Sequence, residues 1–233
     1  MKCAIMQPTY LPWSGYFNLV ASVDRFVFLD NVQFERQSWQ SRNRILLQGR
    51  EHLLAVPVER AALDTPISEI VTSERRSNWR RDHWKTLCSA YAKSSHGREL
   101  LELLEPFYTE DSEQTWLASW NRRIIECIAR ALAIETVFLS AADLRCEGER
   151  IQRLVAICET LGADSYLSPR GAAGYLEDDG FEHATTVSLE LQSFTPRVYP
   201  QYRVNTFTSH LSIVDVIANL GLAGALAYVT ERA

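Results

Sequence analysis

Two short apolar runs near the start of the chain, Cys3 to Met6 and Phe26 to Leu29, each empty into a polar loop and are separated by one short helix. The intervening P-T-Y-L-P-W-S-G-Y-F-N-L-V reads as a tight turn rich in proline and aromatic residues, followed by that helix. Gln7-Pro8 ends the first run, because proline has no N–H to give to a strand ladder. Strand, turn, helix, strand is the opening of an α/β sheet. In open sheets of that kind the ligand crevice lies off the carboxyl ends of the strands. Gln7, Pro8, Trp13, Gly15 and Tyr16 are therefore expected at its mouth. The second strand delivers Asp30-Asn31-Val32-Gln33 to the same edge, and the two polar ends are expected to converge.

Downstream, Trp39 to Arg44 reads as a polar, basic loop running into a strand through Ile45, Leu46 and Leu47. A turn at Gln48-Gly49-Arg50 leads to a second strand, His52 to Val58, limited by Pro57. Residues 60–76 read as loop, with one strand near Ile67 to Val71. From Ser77, a candidate cap, the period becomes helical: Trp79, His83 or Trp84, Leu87 and Tyr91 recur at three- and four-residue steps. Helices over Gly97 to Phe107 and Asp111 to Ala133 complete a helical insert at about 77–133. The α/β rhythm then returns with a strand at Thr136 to Leu139, a helix from Glu149 to Leu161 closed by Gly162, and a strand at Asp164 to Leu167. That strand empties into the loop Ser168 to Tyr175. A half-buried strand through Val187, Leu189, Leu191 and Phe194 and a helix from Ser212 to Leu220 end the pattern. No internal repeat or low-complexity linker interrupts it. The expectation is one α/β domain over 1–233, with a Rossmann-like, mainly parallel sheet and the inserted helical layer.

Charge and cysteine use narrow the partners. A net charge of −5 argues against nucleic acid. The five cysteines include no C-x-x-C pair and fit reduced cytoplasmic thiols. No basic leader followed by an apolar segment is present, so a cytoplasmic protein is expected. The run Leu211 to Val229 is apolar, but it carries Asp215, Asn219, Gly221 and Gly224 and reads as a core helix, not a membrane span. His52, His83, His96, His183 and His210 are scattered, and no cluster has metal-ligand spacing, so no metal is expected. Neither a phosphate-binding P-loop nor a G-x-S-x-G nucleophile turn occurs.

M-Q-P-T-Y-L-P-W-S-G-Y-F, S-V-D-R-F-V-F-L-D-N-V-Q-F, W-Q-S-R-N-R-I and L-S-I-V-D-V-I-A-N-L-G together resemble the WbqC-like protein family over nearly the whole chain. The resemblance implies a bacterial context of O-antigen or other glycan biosynthesis. A more distant likeness runs to nucleotidylyltransferase-like enzymes such as pantothenate synthetase, which adenylate a carboxylic acid and then form an amide. The turn after the first strand is similar to their P-T…H-x-G-H-x-x-L-V, and L-S-P-R-G-A-A-G-Y-L to their second phosphate loop. That likeness implies a nucleotidylyltransferase-like fold with Ser168, Arg170 and the helix start near Gly171 on phosphate. The two histidines of the first motif are Trp13 and Tyr16 here, and neither can serve as an imidazolium. This departure speaks against ATP as a cofactor, and the cofactor stays open.

Several side chains are candidates for chemistry. Arg42 and Arg44, two residues apart on an extended segment that includes Asn43, would project from one face toward a phosphate, diphosphate or carboxylate. Asp30 is either a general base or hydroxyl acceptor, or the cap of the turn that follows it. Gln7 and Gln33 can orient a carbonyl or a sugar hydroxyl. Trp13 and Tyr16 would form an aromatic wall. His210 serves as acid or base if the C-terminal segment folds over the crevice, whereas His83, on a helix face with Tyr91, reads as structural. These residues suit an enzyme that transfers an acyl or aminoacyl group to an amine on a small molecule such as a nucleotide sugar. Candidate partners are a nucleotide sugar, a thioester donor, a carrier protein or a partner enzyme, and the identity of donor and acceptor stays open. The alternatives are a non-catalytic protein that binds a nucleotide sugar or a partner on a degenerate nucleotidylyltransferase-like fold, and a purely architectural role for the N-terminal motif.

Overall fold

The computed structural model describes residues 1–75, 78–109 and 115–231. Its elements in chain order are β1 (Lys2–Met6), α1 (Ser14–Ala21), β2 (Arg25–Phe28), β3 (Arg42–Leu47), β4 (Arg50–Ala55), α2 (Trp79–Tyr91), α3 (Gly97–Thr109), α4 (Leu117–Ala131), β5 (Val137–Ser140), α5 (Ala141–Leu144), α6 (Ile151–Leu161), β6 (Ser165–Ser168), α7 (Ala173–Asp178), α8 (Phe181–Ala184), β7 (Ser188–Leu191) and α9 (Ile213–Thr230).

Five strands form one parallel sheet in the order β5-β2-β1-β6-β7. The chain builds outward from β1 to one side, then crosses to the other. That order is a Rossmann-like, doubly wound sheet, and its switch point lies between β1 and β6. Both faces of the central strands β1 and β2 are covered, which is why these read as short continuous apolar runs, whereas the edge strand β7 is only half-buried. Side-chain alternation still divides them. Ala4, Phe26 and Phe28 enter the larger core with α1, the helical layer and α9. Cys3, Ile5 and Val27 enter a smaller core on the opposite face with Leu154, Ile157 and Cys158 of α6. Cys3 and Cys158 bring their sulfurs to 3.7 Å, both as free thiols.

β3 and β4 form a separate antiparallel hairpin. Its two-residue turn is Gln48-Gly49, both left-handed at φ 53° and 77°, the geometry that matches strand twist. The second strand starts at Arg50 and stops at Ala55, ahead of Pro57, so it is shorter than the expected His52 to Val58. No strand forms over Ile67 to Val71. Pro66 starts a 3-10 turn at Ile67–Glu69, and the backbone N–H groups of Ile67 and Ser68 go to the carbonyls of Val32 and Asp30, leaving no ladder to join. The expected cap Ser77 lies outside the described residues. Asn78 caps α2, its side chain accepting from the Arg81 N–H at 3.0 Å. Part of the expected Asp111 to Ala133 helix also falls outside them, and the described helix begins at Leu117.

After β6 the expected loop coils into a 3-10 turn, Arg170–Ala172, and α7. The final helix runs past its expected end. Gly221 leaves helical geometry at φ 73° and ψ 175°, and the helix resumes to Thr230. The groups freed at this break find partners on α3 and its approach: His96 N–H donates to the Ala218 carbonyl at 2.9 Å, and Glu99 accepts from Leu222 N–H at 3.1 Å. By length and a mean hydropathy of 1.7, α9 is apolar enough to cross a membrane, but Ile213, Val214, Val216 and Ile217 are spent in the larger core.

Candidate functional site

The chain leaves β1 at Met6 and turns through Gln7 to Pro12, with Leu11 in the left-handed region at φ 41°. Buried amides hold that turn. Asn121 of α4 donates to the carbonyls of Pro8 at 3.1 Å and Gln40 at 2.7 Å, and the Gln40 side chain donates to that of Gln7 at 3.0 Å. Tyr16, nearly fully buried on α1, donates its hydroxyl to the Gln7 carbonyl at 3.1 Å, and burial pushes its pKa well up. The indole of Trp13 lies across Gly15, where a Cβ would collide with the ring.

The segment ahead of α9 is stitched onto this turn. Ile213 N–H donates to the Pro12 carbonyl at 2.8 Å and Ser212 N–H to the Arg44 carbonyl at 2.9 Å. His210, left-handed at φ 56°, is thereby stacked on Trp13 with ring centres 4.9 Å apart and planes 26° from parallel. Phe194 meets the same indole edge-on at 5.7 Å. The imidazole is exposed, and Ser209 Oγ engages its Nδ1 at 2.9 Å.

Between these parts lies a cleft of about 190 Å³ lined by Met6, Thr9, Trp13, Tyr16, Trp39, Asn43, Arg44 and His210. It is mostly apolar with a few fixed polar groups, the usual make-up of a small-molecule site. Asn43 donates to the Tyr10 carbonyl at 3.1 Å and accepts from the Arg44 N–H at 2.8 Å. Arg44 is clamped three ways. Nη1 meets Glu51 at 3.1 Å, Nη2 donates to the His210 carbonyl at 3.3 Å, and the guanidinium lies over the Trp39 ring at 5.6 Å. Its Nε is buried with no hydrogen-bond partner among the described residues. A buried donor left unpaired is costly, and it leaves the guanidinium held through Nη1 and Nη2 alone.

Of the residues singled out in the sequence, Trp13, Tyr16, Asn43, Arg44 and His210 come together here, with Gln7 directly behind Tyr16. Asp30 does not reach this cleft. It is buried at the end of β2, where it accepts from Ser140 Oγ at 2.6 Å and the Ala142 N–H at 3.0 Å and lies 3.7 Å from Arg122. Those bonds tie β2 to the start of α5, so the carboxylate serves a distant helix start and not the turn that follows it in sequence. Gln33 is exposed and forms a single bridge with Pro66. Ser168 is fully buried at the end of β6, and Arg170 gives its Nε to the Gln192 carbonyl at 3.0 Å, away from the cleft. Arg42 projects from the same hairpin strand as Arg44 but lines a neighbouring groove. Met6, Thr9 and Trp39 were missed as lining residues. The first two sit in the same quoted motif as Gln7, and Trp39 opens the W-Q-S-R-N-R segment, half-exposed as few tryptophans are.

Among the described residues no group of three or more His, Cys, Asp or Glu side chains is placed to hold a metal ion. In comparison with known proteins, the model of the WbqC-like protein family matches residues 7–225. A relative from Mycobacterium tuberculosis (strain ATCC 25618 / H37Rv), described as uncharacterized protein Rv1507c, is 30% identical over 223 residues, covering 94% of each chain. No solved structure gives a significant match.

Proposed function

This chain belongs to the WbqC-like protein family, and from that premise we propose that it is a cytoplasmic bacterial enzyme of glycan or related small-molecule biosynthesis. It transfers an acyl or aminoacyl group from a thioester, free or on a carrier protein, to an amine such as that of a nucleotide-linked sugar. The observation that carries this reading is one exposed imidazole, His210, stacked on Trp13 in the cleft that the Arg44 guanidinium also lines.

In the reaction the amine nitrogen attacks the thioester carbonyl, a C–N bond forms, and the C–S bond breaks. His210 takes the proton released from the amine and passes it to the departing sulfur. Ser209 holds Nδ1, so Nε2 is the nitrogen available for this transfer. The Arg44 guanidinium, which lines the cleft, offsets the charge that develops on the carbonyl oxygen. Trp13, Tyr16 and Trp39 wall the reacting end, and Asn43 fixes the backbone that carries Arg44. A positioned base of this kind is worth on the order of 10²–10⁴ in rate.

Purified protein, incubated with amino-sugar nucleotides and coenzyme A thioesters, is expected to give an amide product by mass spectrometry. His210→Gln should lower turnover by about 10² or more while leaving the ligand-induced rise in Tm intact. A rise in Tm without product in any donor–acceptor pair would instead favour the binding-only reading. Loss of stability in Trp13→Ala with no separate loss of affinity would make the motif architectural.

A further inference from the structure

Beside the cleft, on the open end of the hairpin, lies a second concavity of about 450 Å³ bounded by the loop 34–42 and the segment 55–60. Three guanidinium groups border it: Arg36, Arg42 and Arg60. None is paired with a carboxylate among the described residues. Arg36 gives one hydrogen bond, to the Ala61 carbonyl at 3.4 Å, and the side chains of Arg42 and Arg60 have no hydrogen-bond or ion-pair partner among the described residues. The one carboxylate in the lining, Glu59, is already engaged by Arg75 at 3.2 Å. In a chain of net charge −5 this is a local reversal of sign inside a concave surface.

The loop that carries Arg36 is held in a fixed shape. Ser38 Oγ donates to the Glu35 carbonyl at 2.8 Å, the Glu35 N–H donates to the Gln40 side chain at 3.0 Å, and Gln37 sits in the left-handed region at φ 61°. Non-glycine residues in that region collect where a ligand clamp must be pre-shaped. Opposite it, Val56 N–H donates to the Ser41 carbonyl at 2.7 Å and pins the other wall. The rim is therefore tied by hydrogen bonds, while Arg42 and Arg60 have no carboxylate partner among the described residues.

We infer that this groove binds a diphosphate. A guanidinium presents a planar fork of donors that matches two phosphate oxygens, and three forks around one groove suit two linked phosphates better than a single carboxylate. Arg42 and Arg44 are two residues apart on β3, about 7 Å. A ligand with its diphosphate on Arg36, Arg42 and Arg60 would lie with its continuation at the mouth of the Trp13–His210 cleft. This placement deepens the proposed transfer reaction and rests on it for the other end of the ligand, but the diphosphate site itself does not depend on it. Nucleotide sugars and coenzyme A both carry this group.

The test is isothermal titration calorimetry of the full chain with inorganic pyrophosphate at low ionic strength. Saturable binding is expected, weakened about tenfold or more by Arg42→Gln and by Arg60→Gln, and only partly restored by Arg42→Lys, which keeps charge but loses the fork. Far-ultraviolet circular dichroism and Tm confirm that the arginine variants, altered at solvent-accessible positions, remain folded. No saturable binding, undiminished binding in Arg42→Gln, or equal binding of sulfate would each overturn the inference. Parallel titrations with a nucleoside diphosphate and with coenzyme A distinguish the source, the tighter ligand being the one whose remaining parts also fit. Pyrophosphate binding with no amide product would leave the groove standing and sink the transferase reading, and the reverse result would do the opposite.

Discussion

His83 and His210 meet opposite environments, and the difference has consequences for acid stability. The ring of His83 is buried beside Tyr10, whose hydroxyl lies 2.9 Å from Nδ1, and against the edge of Trp79 at 5.3 Å. Burial disfavours the imidazolium and pulls the pKa from 6.5 down to about 4. The unfolded chain therefore binds a proton that the folded one refuses between those values, and folding stability must fall as pH drops from about 6.5 to 4. The loss is about 3 kcal/mol at the acid end of that window. Urea denaturation at pH 7.5, 5.5 and 4.5 is expected to show it, and His83→Gln should flatten that part of the profile. Identical slopes in both proteins would mean that another group controls the acid limb. From the sequence alone His83 was readable as structural, because a lone histidine on a helix more often packs than reacts. His210 was readable only as conditional, since whether residue 210 meets residue 13 depends on a contact nearly two hundred positions long.

At the level of elements, what could be read followed from local physics. The strands of the parallel sheet announced themselves as apolar runs ending in polar loops, and the hairpin by its Gln-Gly turn. The segment Ile67 to Val71 misled because apolar residues at 67, 70 and 71 after a proline fit a strand or a 3-10 turn equally well, and only the carbonyls of Val32 and Asp30 decide between them. Arg42 and Arg44 were paired by strand alternation, yet they line two adjoining cavities, to both of which the loop 34–42 contributes. Asp30 was drawn away from the site by Ser140 and Ala142, partners 110 and 112 residues distant. The last helix was expected to stop near Gly221 because glycine commonly ends helices. In the fold the glycine serves as a break, with Glu99 and the His96 backbone satisfying the exposed groups. Gly221→Ala should therefore cost about 1–3 kcal/mol. The left-handed φ strains any side chain, and the new Cβ would approach His96 Nδ1 at 2.7 Å. Equilibrium unfolding of the variant measures the loss. A change within error would mean that the two halves of α9 can realign into one straight helix.

The whole molecule is two cores separated by one sheet. Trp79 and Trp120 belong to the larger core, and Trp13 and Trp84 pack against it, so tryptophan emission reports that side. Cys3 and Cys158 lie in the smaller core, so their reactivity toward a thiol reagent reports the other. Because β1 contributes Ala4 to one and Cys3 and Ile5 to the other, neither core can dissolve without exposing the back of its neighbour. A single cooperative transition is expected, with emission and thiol exposure changing at the same urea concentration. Separated midpoints would show that the α6 side melts independently.

The sheet order also sets a timetable for synthesis. β1 meets β2 within about twenty-five residues of emerging, but its other edge is reserved for β6, with Lys2 opposite Ser165 and Cys3 opposite Tyr166. At translation rates of 5–20 residues per second the ribosome takes about 10–30 s to supply that partner. During this interval the central strand of the finished protein is an open edge, a template for pairing with a neighbouring nascent chain. A newly made copy therefore has most need of a chaperone before the β6 segment has left the exit tunnel.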